Sequence, residues 1–153
     1  SDSEIHIKIT GYQWLWEYEY LNTDVSFYSK LSTPYNEIYN KETKNVNYLQ
    51  EVDKQLVLPV NKKIRFLLTS NDVLHAWWVP DLALKKDAIP GFINEMSVVI
   101  NEPGIYRGRC AELCGRHHGF MPIVIKAVEE KEYEEWLANA NKPKTADVAK
   151  INE

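Results

Sequence analysis

The sequence predicts an all-β protein, a Greek-key β-sandwich with a single C-terminal helix. Residues 3–10 alternate apolar and polar side chains without a break, as a half-buried strand does. Short apolar and β-branched runs then recur between Asn, Asp, Pro and Gly punctuation, giving roughly seven to nine strands. Only residues 129–139 (EEKEYEEWLAN) read as a helix. A chain of 153 residues is one domain at the usual ~150 residues, long enough to bury a core without staples.

In the first strand Ile5, Ile7 and Ile9 share one face, and His6, Lys8 and Thr10 the other. A second strand is expected from Gly11, with Tyr12, Trp14, Trp16, Tyr18 and Tyr20 on one parity, an aromatic face too rich to be all core. Residues 21–53 turn polar and rich in Asn, so only a short strand near 25–28 and a helical turn are expected there. Residues 55–60 carry Pro59, which suits an edge strand. Residues 63–69 (KIRFLLT) read as a central strand, followed by strands at 73–79 and 92–100. Asn101-Glu102-Pro103-Gly104 is a turn, and strands at 105–110 and Pro122–Val128 complete the set. Acidic residues open the helix, where its dipole favours them. From Lys142 onward the chain is a polar tail.

Eighteen Lys and Arg against 22 Asp and Glu leave a net charge of −4, which argues against nucleic acid and allows a basic protein partner. No apolar run approaches the ~18 residues of a membrane helix. The chain opens on Ser1 rather than Met and runs straight into a strand, so it reads as a processed chain or a fragment cut from something longer, which leaves room for a membrane anchor outside it.

The chemistry concentrates in Cys110-Ala-Glu-Leu-Cys114-Gly-Arg-His-His118-Gly-Phe-Met121, a loop between two expected strands. The cysteine pair alone allows a disulfide. Two thiols with His117 or His118 also allow zinc, although a thioether is a poor zinc ligand. Thiolate, imidazole and weak thioether on a sandwich loop form the ligand set of copper electron-transfer sites. A second cysteine suggests two coppers sharing both sulfurs, with one histidine each. The second histidine would be His75, in Asn71-Asp-Val-Leu-His75-Ala-Trp-Trp-Val-Pro80 after the KIRFLLT strand. Met96 reads as core and His6 as surface, and the acidic helix as a solvated face. Local spacing leaves His117 and His118 equal.

The window, together with NDVLHAWWVP, DAIPG and GYQWLWEYEY, closely resembles subunit II of cytochrome c oxidase in its CuA domain. The resemblance covers residues 11–16 and most of 59–136. It implies a cupredoxin-like fold, with residues 1–141 as the CuA domain and 142–153 as the tail. It selects His118 over His117. By position, Cys110 and Cys114 bridge two copper ions, His75 and His118 bind one each, Met121 is a weak axial ligand, and Glu112 offers its backbone carbonyl. The Glu112 carboxylate would reach a magnesium or manganese ion shared with subunit I.

Trp14 matches the exposed tryptophan through which electrons from cytochrome c enter, and acids such as Glu17, Glu19 and Asp24 are expected around it. The implied function is electron relay in a terminal oxidase, from cytochrome c to the haem of subunit I. The implied setting is a membrane complex at the periplasmic face of a bacterial inner membrane, or at the mitochondrial intermembrane-space face. The family often has Tyr where Leu15 stands, Ser for Ala76 and Arg for Phe92; none of these is a copper ligand. The alternatives are the CuA domain of nitrous oxide reductase, against which Glu112 discriminates, a copper-delivery protein and a structural zinc module.

Overall fold

Strand-forming residues on two apolar faces meet in a sandwich. A computed structural model of the chain describes residues 4–32, 51–111 and 121–141. Among these the strands are β1 (Ile5–Tyr12), β2 (Leu15–Tyr20), β3 (Ser26–Ser29), β4 (Leu56–Pro59), β5 (Lys63–Ser70), β6 (His75–Val79), β7 (Leu84–Ala88), β8 (Asn94–Val99), β9 (Gly104–Cys110) and β10 (Pro122–Val128). One helix, α1 (Glu130–Ala140), follows. The strand order is β3-β2-β1-β5-β8 in one sheet and β4-β10-β9-β6-β7 in the other. β1 and β5 run parallel, as do β4 and β10, so the chain crosses between sheets as a Greek key does.

The isoleucine alternation holds: Ile7 and Ile9 are fully buried, facing inward with Trp16, Tyr18, Tyr20, Ile64, Phe66 and Leu68. Leu56, Leu58, Trp77, Val79, Ile123 and Ile125 supply the buried side of the second sheet. Aromatic side chains tie the sheets across the core. The Trp77 ring lies 5.0 Å from that of Phe66, and its indole Nε1 donates to the Tyr18 hydroxyl at 3.3 Å. The Tyr20 hydroxyl donates to the Val57 carbonyl at 2.6 Å and accepts from the Val57 amide at 3.0 Å. Burial holds the Tyr18 and Tyr20 hydroxyls well above the usual phenol range, so both stay neutral. Helix α1 covers one margin, burying Tyr133 and setting Trp136 5.2 Å from Tyr20.

Several expectations meet their places. β4 lies at a sheet edge and β5 between β1 and β8. Met96 packs partly buried against the core. His6 sits on the outer face beside Glu4, whose carboxyl is drawn down to about 2 by Lys63, His6 and Arg65.

Others need correction. The second strand starts at Leu15, because Gln13 and Trp14 form the turn of a β1–β2 hairpin; Trp14 is therefore not on a strand face. β6 begins at His75 and β8 at Asn94, leaving Val73, Leu74, Phe92 and Ile93 exposed. β7 was not expected: its sequence LKKDA has no clean apolar period, and it is a strand because it pairs with β6. The helical turn expected between residues 21 and 53 is absent from 21–32 and 51–53, and the rest of that stretch lies outside the described residues. The tail 142–153 lies outside them as well.

Replacing Tyr20 by Phe keeps the ring but strands the buried Val57 amide and carbonyl without their shared partner. We expect a loss of about 1–3 kcal/mol, read as a lower urea midpoint with an unchanged slope. An unchanged midpoint would mean the hydroxyl contributes nothing to holding the sheets together.

Candidate metal centre

The β1–β2 turn, the end of β5, the start of β6, the end of β9 and the start of β10 all lie at one end of the sandwich, as the registers require. His75 opens β6 and Cys110 closes β9. The antiparallel register pairs Trp77 with Cys110, and the Ala111 amide extends it by donating to the Ala76 carbonyl at 2.9 Å. The result sets the Cys110 sulfur 3.9 Å from His75 Nδ1. The same sulfur accepts from the Ala76 amide at 3.5 Å. Met121 is buried, and its carbonyl accepts from the Cys110 amide at 3.2 Å and from Trp16 Nε1 at 3.3 Å.

Three of the residues expected at a metal site, His75, Cys110 and Met121, thus lie at one end of the second sheet. Glu112, Cys114 and His118, with the competing His117, lie outside the described residues. Among the described residues no three His, Cys, Asp or Glu side chains converge.

The fit to a soft metal ion is nevertheless direct. Lengths typical of a zinc site, about 2.0 Å to imidazole nitrogen and about 2.3 Å to thiolate, let one ion bridge atoms separated by the observed gap. A buried thiol facing a buried imidazole nitrogen is a borderline-to-soft donor pair, suited to copper or zinc and ill suited to magnesium or calcium.

His75 is fully buried and held on every side. Its Nε2 is hydrogen-bonded to Asp72 Oδ1 at 2.8 Å, and the Trp16 ring meets it edge-on at 5.8 Å. Burial pushes the imidazole down, but the Cys110 sulfur and the Asp72 carboxylate outweigh this and leave it above its usual value. Burial likewise pushes the Asp72 carboxyl up, and hydrogen bonds from Gln13, His75 and Val73 bring it below the usual carboxylate range. Gly11 flanks the ring on the β1 side. A Cβ there would stand 2.7 Å from His75 Cδ2 and 2.9 Å from Cγ.

Trp14 sits in the hairpin turn at this same end and is 39% exposed. Val73, Leu74, Phe92 and Ile93 are exposed around the same end of the sheets, forming an apolar rim. Of the acids expected near Trp14, Glu17 lies closest along the hairpin, accepting from the Tyr12 hydroxyl at 3.4 Å, while Glu19 pairs with Lys8 further along. Asp24 does not belong there. It follows β2 at the opposite end, where its amide bonds to Asn141 Oδ1.

The carboxylate that does reach the Trp14 turn is Asp72, which sequence reasoning missed, as it missed Gly11. An Asp three residues before a ligand histidine in a loop is a usable signal for the first. Nothing short of the packed structure signals the second.

Residues 5–128 match the family model described as cytochrome c oxidase subunit II, periplasmic domain. The chain is 44% identical over 137 residues to cytochrome c oxidase subunit 2 of Oncopeltus fasciatus, covering 90% of this chain and 58% of that relative. The chain therefore spans less than two thirds of this curated relative's length. It is also similar to the crystal structure of the periplasmic domain of cytochrome oxidase subunit II of Bradyrhizobium japonicum, with 39% identity and a TM-score of 0.78, covering 89% of this chain and 92% of that one. A second solved structure, a mixed disulfide intermediate between a thioredoxin-like protein and subunit II of cytochrome c oxidase, matches with 39% identity and a TM-score of 0.73, covering 90% of each chain.

Gly11→Ala tests the packing around His75. The added methyl cannot fit without displacing the imidazole or Trp16, so we expect a loss of about 1–3 kcal/mol together with weaker metal binding. Thermal unfolding of the metal-free chain and a metal titration measure the two effects. Wild-type metal affinity in the variant would show that the ring is not held by this contact.

Proposed function

The chain belongs to the cytochrome c oxidase subunit II family, and from that premise we propose that it takes electrons one at a time from cytochrome c at a dinuclear copper centre and delivers them to the haem of subunit I, where oxygen is reduced. The observation that carries this reading is the buried His75–Cys110 pair, with imidazole Nδ1 facing the sulfur at 3.9 Å. Cys110, Cys114, His75, His118 and Met121, with the Glu112 carbonyl, would hold the copper pair. The Glu112 carboxylate would help hold a magnesium or manganese ion shared with subunit I. When bound, the copper pair supplies one-electron oxidation and reduction, with the charge change spread over two metals by two thiolates.

The chain's own residues make that exchange easy. Burial of His75, Cys110 and Met121 keeps water from the ligands, and the Ala76 amide supplies a fixed dipole at the sulfur. Held by strands rather than by a loop alone, these groups need to move little when charge changes. No substrate has to enter, so an open coordination position or an acid–base pair is not required. Trp14 and the apolar rim of Val73 and Leu74 form the contact for the donor. The setting is a membrane complex, at the periplasmic or intermembrane-space face; no helix among the described residues is long and apolar enough to cross a membrane.

Family membership favours this reading over the nitrous oxide reductase, copper-delivery and zinc alternatives. The relative captured in a mixed disulfide with a thioredoxin-like protein supports a cysteine of this domain that can enter thiol–disulfide exchange.

Two measurements test the proposal. Copper analysis should give two ions per chain, and electron paramagnetic resonance of the oxidised form should show hyperfine coupling to two equivalent nuclei. Coupling to a single nucleus in the fully loaded chain, or a colourless zinc protein, would overturn it. Trp14→Ala should greatly slow reduction by cytochrome c while leaving the copper spectrum and the salt dependence nearly unchanged, because it removes a contact and not a charge. Wild-type and variant rates should both fall as salt rises past ~0.1 M, where screening acts over ~10 Å. A variant that accepts electrons at the wild-type rate would return Trp14 to a purely structural place.

A further inference from the structure

Asp72 joins two parts of this end of the molecule that the chain itself keeps far apart. Its Oδ2 accepts from the Gln13 amide, in the hairpin turn that carries Trp14, at 2.7 Å. Its Oδ1 accepts from the Val73 amide at 2.6 Å and lies 2.8 Å from His75 Nε2. The Ser70 hydroxyl fixes the carboxylate's own backbone, accepting from the Asp72 amide at 3.2 Å and donating to the Val73 carbonyl.

Two amide N–H groups and the imidazole Nε2 therefore converge on the two oxygens of one side chain. Only a carboxylate can accept at both ends; an amide of the same shape would turn its NH2 against one of the donors. An ionised carboxylate cannot donate, so the proton of a neutral His75 ring must sit on Nε2. Nδ1 then keeps its lone pair on the side of the Cys110 sulfur.

We propose that Asp72 is a positioning residue with a double role: it locks His75 in the tautomer that can ligate a metal, and it fastens the Trp14 turn to that same ligand. This gives a hydrogen-bonded electron route from Trp14 through the Gln13 backbone, the Asp72 carboxylate and the His75 ring. The route rests on the reading of the site as a copper centre that accepts electrons near Trp14. One electron leaves a haem donor, which is oxidised by one, and arrives at the metal, which is reduced by one. The protons stay on Gln13 N and His75 Nε2 throughout. Between the two ends the path crosses only two non-covalent links, of 2.7 Å and 2.8 Å, and no empty gap.

The test is Asp72→Asn, read first without metal. Nitrogen NMR of the copper-free wild type should show His75 protonated at Nε2, and hydrogen exchange should show the Gln13 amide protected. In the variant the tautomers should mix, or the Gln13 amide should exchange faster, since one oxygen cannot serve both sides. Copper affinity should fall by about 10- to 100-fold, as for other outer partners of ligand histidines.

Rapid mixing with saturating cytochrome c then separates docking from transfer. The lost charge changes the concentration dependence, whereas a broken route lowers the limiting first-order rate. A copper-free wild type with its proton on Nδ1 overturns the proposal whether or not the variant folds. A variant that keeps both the Nε2 tautomer and Gln13 protection overturns it too. Mixed tautomers with a wild-type limiting rate overturn the route and support the positioning role alone. Failure of the wild type to take up a copper pair would overturn the metal reading instead, and the metal-free tautomer would still decide for or against Asp72.

Discussion

The antiparallel pairing of β6 with β9 is the constraint on which the rest of this molecule depends. It is short, and its register sets Trp77 opposite Cys110. Trp77 is locked in the core by Phe66 and Tyr18, so the position of the thiol is inherited from core packing rather than from a loop. The strands also approach closely at Gly108, where a Cβ would stand 2.0 Å from the Trp78 carbonyl. Any side chain there would force backbone apart from backbone, and the sulfur and imidazole would separate with it. A glycine in the middle of a strand, ordinarily a weakness, is here the condition for the site.

Around that pairing the structure divides its labour between faces and ends. The inward faces of both sheets are apolar and aromatic, and their hydroxyl and indole groups find partners across the core instead of in water. The outward face of the first sheet carries an ion cluster of Glu4, Lys63, Arg65 and Glu95, in which Glu4 and Arg65 are half-buried. The candidate site lies at one end, where strands from both sheets terminate together. His75, Cys110 and Met121 are buried there, close to Trp14 and an apolar rim. An electron relay needs that arrangement: a site sealed from water yet a short distance from a partner.

Much of this was legible in the residues. The isoleucine alternation of β1 is a two-residue period that only a half-buried strand satisfies, and Pro59 marks an edge because it has no amide to donate. The cysteine–histidine–methionine window offers soft-ligand side chains in composition alone, and it is the basis of the proposed copper site. Trp14 shows where such reading stops. Its parity with Trp16, Tyr18 and Tyr20 suggests a shared face, but the hairpin turns at Gln13 and Trp14, and parity means nothing across a turn. β7 was hidden for a related reason: LKKDA has no intrinsic preference strong enough to declare a strand, and hydrogen bonds from β6 make it one. Asp24 looked close to Trp14 in sequence, yet a hairpin carries residues ten apart to opposite ends of a strand.

By itself the sequence determined the class of fold and the family, because those follow from periodicity, side-chain chemistry and motif spacing; the soft-ligand set it offers is the basis of the proposal. Tertiary structure alone decided that His75 and Cys110 face each other, that Gly11 must be bare to leave room for the imidazole, and that Asp72 reaches both the ligand and the Trp14 turn. Each of these contacts links residues tens of positions apart in the chain. Their distances are set by the register of strand pairs and by the packing of two sheets, and neither quantity is carried by any local stretch of residues.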